Sequence, residues 1–385
     1  MNTRKTFEYR LYTTKKQKRL LHHILDECQW LYNELLSQRK LSFEDLEMTL
    51  TKYQQLMFLP EMKKERPSLA EIHSQILQNV VDRLDKAFQA FFRRCKAGKI
   101  PGFPRFRGKH RYNSFCFPQS GFSATLKELK LSKIGSIRMK MHRFIEGEIK
   151  TCTLRKNASG EWNAIFSCEV QSKPLIANEE AVGIDVGIEH FAILSSNQEI
   201  PNPKFFRNGE KSLGKTQKKL SKLEKGTKER QKLGKRAAKI HERIRNQRKD
   251  FCHKETRKII NQYQYICIED LNIKKMIEGS YLAKSITDAS WNQFRQFLTY
   301  KAEEAGRKLR LVNPAYTSQT CSQCQYIEEK KLSDREHCCI ECGYKTSRDF
   351  NASQNILALG LDGLGMIPRS LAFRRRSSHT LLMAT

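Results

Sequence analysis

The sequence predicts a mixed α/β protein of several domains: an N-terminal helical domain, a small antiparallel sheet or barrel, and a later α/β part carrying a cysteine cluster. Three patterns predict it. Apolar residues recur at helical spacing over 20–35 and 69–92. They alternate at period two over 135–170. From Ala181 onward, short apolar strands alternate with helical stretches. A length of 385 residues allows two or three domains with sizeable cores. The 71 Lys+Arg against 41 Asp+Glu leave a net charge of +30, a long-range positive field that calls for a polyanionic partner.

Residues 7–11 alternate as a short strand, with Phe7, Tyr9 and Leu11 on one face. Thr14 and Gln17 then form a capping-box pattern ahead of a helix lined by Leu20, Leu21, Ile24, Leu25, Cys28, Leu31, Tyr32 and Leu35. A second box, Ser68 with Glu71, opens a long helix that ends near Gly98. Residues 98–118 hold too much proline and glycine for a helix. Their basic residues Lys99, Arg105, Arg107, Lys109 and Arg111 interleave with aromatics, which suits phosphate contact plus base stacking or, equally, a surface loop pinned by buried phenylalanines. Three period-two runs over 136–143, 148–156 and 161–170 make the antiparallel sheet, and 171–180 reads as a linker.

AVGIDVG (181–187) is a buried strand ending in an acid, with HFAILSS as its hairpin partner. Residues 204–258 hold 21 Lys+Arg against six acids, a local charge of +15 and half of the whole excess. A narrow apolar seam makes this stretch a helical pair turning near Gly226, with Lys218, Lys219, Lys235, Arg236, Arg248 and Lys249 as candidate backbone contacts. YICIED (265–270), a helix near 291–305, KLRLV (308–312) and a last helix from about Asp349 complete the α/β part. The tail from Gly365, with Arg374, Arg375 and Arg376, is irregular. No apolar run approaches the eighteen or so residues of a membrane span, and the N-terminus lacks a signal core. A cytoplasmic, nucleic-acid-associated protein with reduced cysteines is expected.

Of twelve cysteines, Cys28, Cys95, Cys116, Cys152, Cys168, Cys252 and Cys267 are scattered and read as small core residues. The others cluster. Cys321-Ser-Gln-Cys324 and Cys339-Ile-Glu-Cys342 are two knuckles whose four thiolates can close a tetrahedron on one structural zinc, with His337 and Cys338 as possible substitutes. Gly209–Thr216 also matches the phosphate-loop pattern G-x-x-x-x-G-K-[ST]. The proline-broken residues before it supply no buried strand, so nucleotide hydrolysis is not expected. Three dispersed acids complete the set. Asp185 and Glu269 end apolar strands and Asp349 opens the last helix. Each has an ordinary explanation, solvation or helix capping. Together they can converge on two magnesium ions about 4 Å apart, the arrangement that cleaves phosphodiesters.

GIDVG, IEDLN, the two knuckles and SRDFNASQN, in that order, resemble the RuvC-like nuclease of the TnpB family. These are OrfB-type, transposon-encoded, RNA-guided DNA endonucleases, similar to type V CRISPR effectors. YRLYTTKKQKRLL and FFRRCKAGKIPGFPRFRGKHRYNSF also resemble that family, so the likeness covers about 5–360. It implies that Asp185, Glu269 and Asp349 are catalytic and hold magnesium, and that Cys321, Cys324, Cys339 and Cys342 form the zinc ribbon. It implies an RNase H-like nuclease in two parts, 181–313 and 347–362, around a ribbon at 314–346. It further implies a helical recognition lobe at 13–118, a wedge-like barrel from 1–12 and 119–172, and leaves 363–385 as a tail. The partners implied are a guide RNA from the transposon end and double-stranded target DNA beside a short transposon-associated motif; a nucleoid-associated protein is expected, with a monomer favoured over an oligomer. Two rival readings are an RNA-guided regulator with a decayed nuclease and a transposase that joins strands itself.

Overall fold

The computed structural model describes residues 2–109, 111–331 and 334–365, so Arg374, Arg375 and Arg376 lie outside the described residues. The described residues divide into two compact units, one up to Gln171 and one from Ser172.

In the first unit, β1 (Asn2–Tyr12) leads into α1 (Lys15–Leu46), and the Thr14–Gln17 capping box forms in both directions. α2 (Lys52–Glu65) follows. The next long helix, α3 (Ser74–Lys96), begins well past Ser68, after a single 3-10 turn at Pro67–Leu69. The box at Ser68 fails because its hydroxyl is used elsewhere: it donates to the buried Glu27 carboxylate at 3.0 Å, beside a two-pronged Arg66 pair at 2.6 and 2.9 Å. The Arg66 hydrogen bond holds the Glu27 carboxyl below its usual range despite burial.

Strands β2 (Ser114–Phe117), β3 (Phe122–Ala124), β4 (Glu128–Leu131), β5 (Gly135–Met139), β6 (Glu148–Lys156) and β7 (Trp162–Gln171) complete one antiparallel sheet, ordered β2-β6-β7-β1-β5-β4-β3. Its two edges, β2 and β3, are joined by residues 118–121 alone, and Phe117 meets Phe122 at 6.3 Å between ring centroids. So short a link curls the sheet into a nearly closed barrel. Helices and barrel share a single core, in which Phe7, Phe115 and Phe166 pack with Leu21 and Ile24 of α1 and Ile76 and Val80 of α3.

The second unit starts with β8 (Ala181–Val186), β9 (His190–Leu194) and β10 (Glu199–Pro201), an antiparallel meander. The basic pair α4 (Phe205–Ser221) and α5 (Lys228–Gln262) follows, then β11 (Tyr265–Glu269), the short α6 (Ile273–Ile277) and α7 (Ala283–Ala289), α8 (Trp291–Ala305) and β12 (Lys308–Val312). The sheet order is β10-β9-β8-β11-β12, with β8, β11 and β12 parallel. A hairpin of β13 (Glu336–Cys338) and β14 (Lys345–Ser347) precedes α9 (Arg348–Asp362). The phosphate-loop match at Gly209–Thr216 lies wholly inside α4, with Thr216 buried and its hydroxyl bonded to Ser212 O at 2.9 Å, so there is no loop to cradle phosphates.

Both faces of this sheet are covered, which is why its central strands are apolar throughout. Val182, Ile184, Ile266 and Ile268 join a core with Ile259 and Ile260 of α5 and Phe294 and Leu298 of α8. Alternation turns Gly183 and Cys267 to the opposite face, under α9. A Cβ on Gly183 would lie 2.1 Å from Ser353 O, and one on Gly360 would lie 2.2 Å from Cys267 Sγ. Small residues on both sides thus let α9 lie close to the sheet. Gly183→Ala is expected to cost about 2 kcal/mol or more, since backbone and not a flexible tip must yield; thermal denaturation measures it. Of the scattered cysteines, Cys95 alone is exposed, at the solvent side of α3, and does not serve the core. Among the described residues, no helix is long and apolar enough to cross a membrane.

Candidate active site and metal centre

Asp185 and Glu269 lie one residue past the paired Ile184 and Ile268, at the C-terminal ends of neighbouring parallel strands. Period two places them on the face of Gly183 and Cys267, the face that α9 covers. Asp349 stands in the first turn of α9, above the end of β8: a Cβ on Gly187 would come within 4.0 Å of its Oδ2. Ser347, not Asp349, caps this helix, accepting from Phe350 N at 3.2 Å. The capping explanation for Asp349 is thereby removed.

Three carboxylates from strands and helix therefore face one another. Burial, and next the charges of Glu269 and Asp349, push the Asp185 carboxyl well above the usual aspartate range. Burial also pushes Glu269 up, opposed by a hydrogen bond that Thr317 Oγ1 donates to Glu269 Oε1 at 2.6 Å. Among the described residues, the cation paired with the trio is Arg348, whose Nε is 3.4 Å from Asp349 Oδ1. Like charges gathered at the C-terminal ends of parallel strands, in the crevice where α/β sheets bind ligands, form a donor set suited to hard divalent cations.

Sequence reasoning missed the residues that hold the loop beside these acids. Asn351 and Asn355 of α9 are buried, and their amides donate to Thr320 O at 2.7 and 2.6 Å. Asn355 also reaches Thr317 O at 2.9 Å, and Asn351 Oδ1 accepts from Ser322 N at 2.9 Å. The signal was present as two asparagines four apart beside Asp349, on one face of a helix. What they bind lies some thirty residues away in sequence and was not visible.

The structure brings Cys321, Cys324, Cys339 and Cys342 together with all four sulfurs within 4.8 Å, the only such ligand cluster among the described residues. The Cys321–Cys342 and Cys324–Cys339 Sγ distances are 3.7 and 3.5 Å. A tetrahedron of thiolates about 2.3 Å from zinc has edges near ~3.8 Å, so the quartet fits one closed zinc site. Cys338 is exposed and His337 is buried against Lys330, and neither joins the quartet. Gly343 makes the second knuckle turn at φ +71° while its N–H donates to Cys339 O.

The basic candidates separate. Lys218, Lys219, Lys235, Arg236 and Lys249 are exposed on α4 and α5. A groove of about 380 Å³ between these helices is lined by Lys215, Lys218, Lys219, Lys222 and Arg236. Arg248 is a correction: it turns inward to the buried Asp288 at 2.7 Å, and that carboxylate also accepts from Phe206 N at the start of α4. Arg248 thus anchors the pair instead of facing solvent. Arg105, Arg107, Lys109 and Arg111 are exposed, but Arg107 is tethered to α1, its carbonyl accepting from Gln29 and Asn33 and its guanidinium 5.2 Å from the Tyr32 ring. The aromatics of this stretch divide, with Tyr112, Phe115 and Phe117 buried and Phe103 and Phe106 half exposed.

Three family models match the chain. OrfB_IS605, described as "Probable transposase", spans 165–279; the Cas12f1-like TNB domain spans 291–356; and an OrfB_IS605 helix-turn-helix domain spans 1–45, which here is a strand and one long helix. A Streptomyces pristinaespiralis protein named "Putative RNA-guided DNA endonuclease" is 31% identical over 366 residues, covering 93% of this chain and 90% of its own. The Escherichia coli protein InsQ, named likewise, is 28% identical and covers 94% and 93%. A solved Cas12f1–sgRNA–target DNA complex contains a chain of similar fold, with a TM-score of 0.60 at 14% identity over 92% of this chain and 98% of that one. With its acids, cysteine quartet and near full-length likeness taken together, the chain belongs to the TnpB family of OrfB-type, transposon-encoded RNA-guided DNA endonucleases.

Proposed function

We propose that this chain hydrolyses target-DNA phosphodiesters at Asp185, Glu269 and Asp349, which hold two magnesium ions, once a guide RNA has paired with the target. The observation that carries this is the convergence of three carboxylates, drawn from 165 residues of sequence, at one end of β8 and β11. When bound, such a metal pair supplies an activated water and neutralises charge on the leaving oxygen. The chain's own part is to hold the carboxylates rigidly: β8 and β11 fix two of them, and the close seat of α9 fixes the third. The sheet order β10-β9-β8-β11-β12 supports the RNase H-like reading of 181–313 with 347–362, interrupted by the ribbon at 314–346.

Guide pairing reads most of the target in this reading, while protein reads backbone, shape and a short adjacent motif. The guide is transcribed from the transposon end, and the exposed lysines of α4 and α5 grip nucleic-acid backbone. Replacing Lys218, Lys219, Lys235 and Arg236 by Ala is expected to weaken binding and to lower the slope of log affinity on log salt by about 0.7–0.9 for each phosphate no longer neutralised. Filter binding across a salt series measures this; an unchanged slope places the grip elsewhere. The function itself is tested by target-plasmid cleavage with RNA co-purified from cells, with magnesium and with chelator. Cleavage that needs both metal and matching RNA supports it, and strand-transfer products in its place would favour a transposase.

A further inference from the structure

Glu269 ends a strand paired on both sides, and its buried side chain turns on three rotatable bonds. One buried hydroxyl restrains it. Thr317 is 4% exposed, and its Oγ1 donates to Glu269 Oε1 at 2.6 Å, with Pro314 O at 3.1 Å as a second acceptor. Thr317 sits in the segment between β12 and the first knuckle, where no regular element holds it. Its backbone is anchored instead by side chains. Asn355 binds Thr317 O and Thr320 O; Asn351 binds Thr320 O and Ser322 N. Between Thr320 and Ser322 lies Cys321, a member of the sulfur quartet.

The segment is therefore clamped twice, by the zinc knuckle and by α9, and α9 is the helix that presents Asp349. A hydroxyl so placed gives one oxygen of the buried Glu269 carboxylate a donor in a fixed position.

We propose that Thr317 is a positioning residue that orients Glu269 for divalent-cation binding, held in register by Asn351, Asn355 and the Cys321 knuckle. This rests on the magnesium site proposed above. Hydroxyl and carboxylate partners of metal ligands typically change affinity by about 10- to 100-fold when removed. Valine keeps the shape of threonine and removes the donor; serine keeps the donor and removes a methyl group.

The test uses full-length protein with its guide RNA and zinc in place, and Mn2+ as the paramagnetic probe. Free Mn2+ is titrated by electron paramagnetic resonance in wild type, Thr317→Val, Thr317→Ser and Asp185→Ala. Thr317→Val is expected to weaken Mn2+ binding by about 10-fold or more and to raise the Mn2+ concentration for half-maximal plasmid cleavage by a similar factor. Guide-RNA affinity and zinc content should stay at wild-type values, and the melting temperature should fall by only the few degrees that an unsatisfied buried acceptor costs. Thr317→Ser should bind Mn2+ as wild type does. If wild type binds Mn2+ and Thr317→Val matches it, or if Thr317→Ser fails as the valine variant does, the positioning role is wrong. If wild type takes up no more Mn2+ than Asp185→Ala, the metal site itself falls, and this proposal with it.

Discussion

Asp185→Asn is expected to cut target-plasmid cleavage by about a thousandfold or more, leave guide-RNA binding intact, and raise the thermal stability of the metal-free protein. The loss follows from charge. Removing one carboxylate of a two-metal site forfeits several kcal/mol of transition-state stabilisation, and about 4 kcal/mol is three decades of rate. The gain in stability follows from the same charge. Burial, Glu269 and Asp349 together raise the Asp185 carboxyl well above the value it has in an unfolded chain. Between those two values the folded protein holds a proton that the unfolded chain has released. Stability of the metal-free wild type therefore falls as pH rises through that window, and asparagine removes the fall. The melting-temperature gap between variant and wild type should be small near pH 4, widen with rising pH, and level off once folded Asp185 ionises. Magnesium should then raise the wild-type melting temperature more than that of the variant, because only wild type keeps all three carboxylates. Undiminished cleavage by Asp185→Asn, or a variant less stable than wild type at pH 8 without metal, would contradict the assignment.

Much of this site could be read from the sequence because its parts are local. A strand such as AVGIDVG announces both its burial and its terminal acid within seven residues, and a C-x-x-C knuckle is complete within four. The spacing even selected Cys339 over the adjacent Cys338, and the sulfur positions agree. What escaped depended on partners far along the chain. Ser68 reads as a cap until Glu27, itself paired with Arg66, claims its hydroxyl. Arg248 reads as one more surface cation until Asp288 buries beside it. Asn351, Asn355 and Thr317 carry no sequence mark of the loop they hold. α2 was invisible for another reason. It buries only Gln55, Leu59 and Met62, carries Pro60 inside, and leaves Tyr53 and Met57 exposed, so its apolar residues trace no stripe.

Loss of the thiolate quartet, by Cys321→Ser with Cys339→Ser or by stripping the metal with a chelator, is expected to unfold 314–347 while leaving the sheet intact. The composition of the segment requires it. Between 314 and 346, the buried apolar residues among those described are Cys321 and Cys339, both members of the quartet. The β13–β14 hairpin has three residues in each strand, far below what stands alone in water. A zinc held by the quartet would therefore be the core of this segment, and zinc binding of about 10–16 kcal/mol in small zinc-finger peptides is ample to fold it. Hydrogen exchange should show amides of 317–347 losing protection, with β8 and β11 unchanged beneath α5 and α8. Cys338→Ser should leave the pattern at wild type, since that exposed side chain lies outside the quartet. Cleavage should fall with the zinc although no zinc ligand touches the three acids, because Thr317 loses its anchor and Asn351 and Asn355 lose their acceptors at the same time. Retained protection in the metal-free protein would mean that the Asn351 and Asn355 clamp alone suffices to fold the loop, and that the ribbon serves something other than the order of the active site.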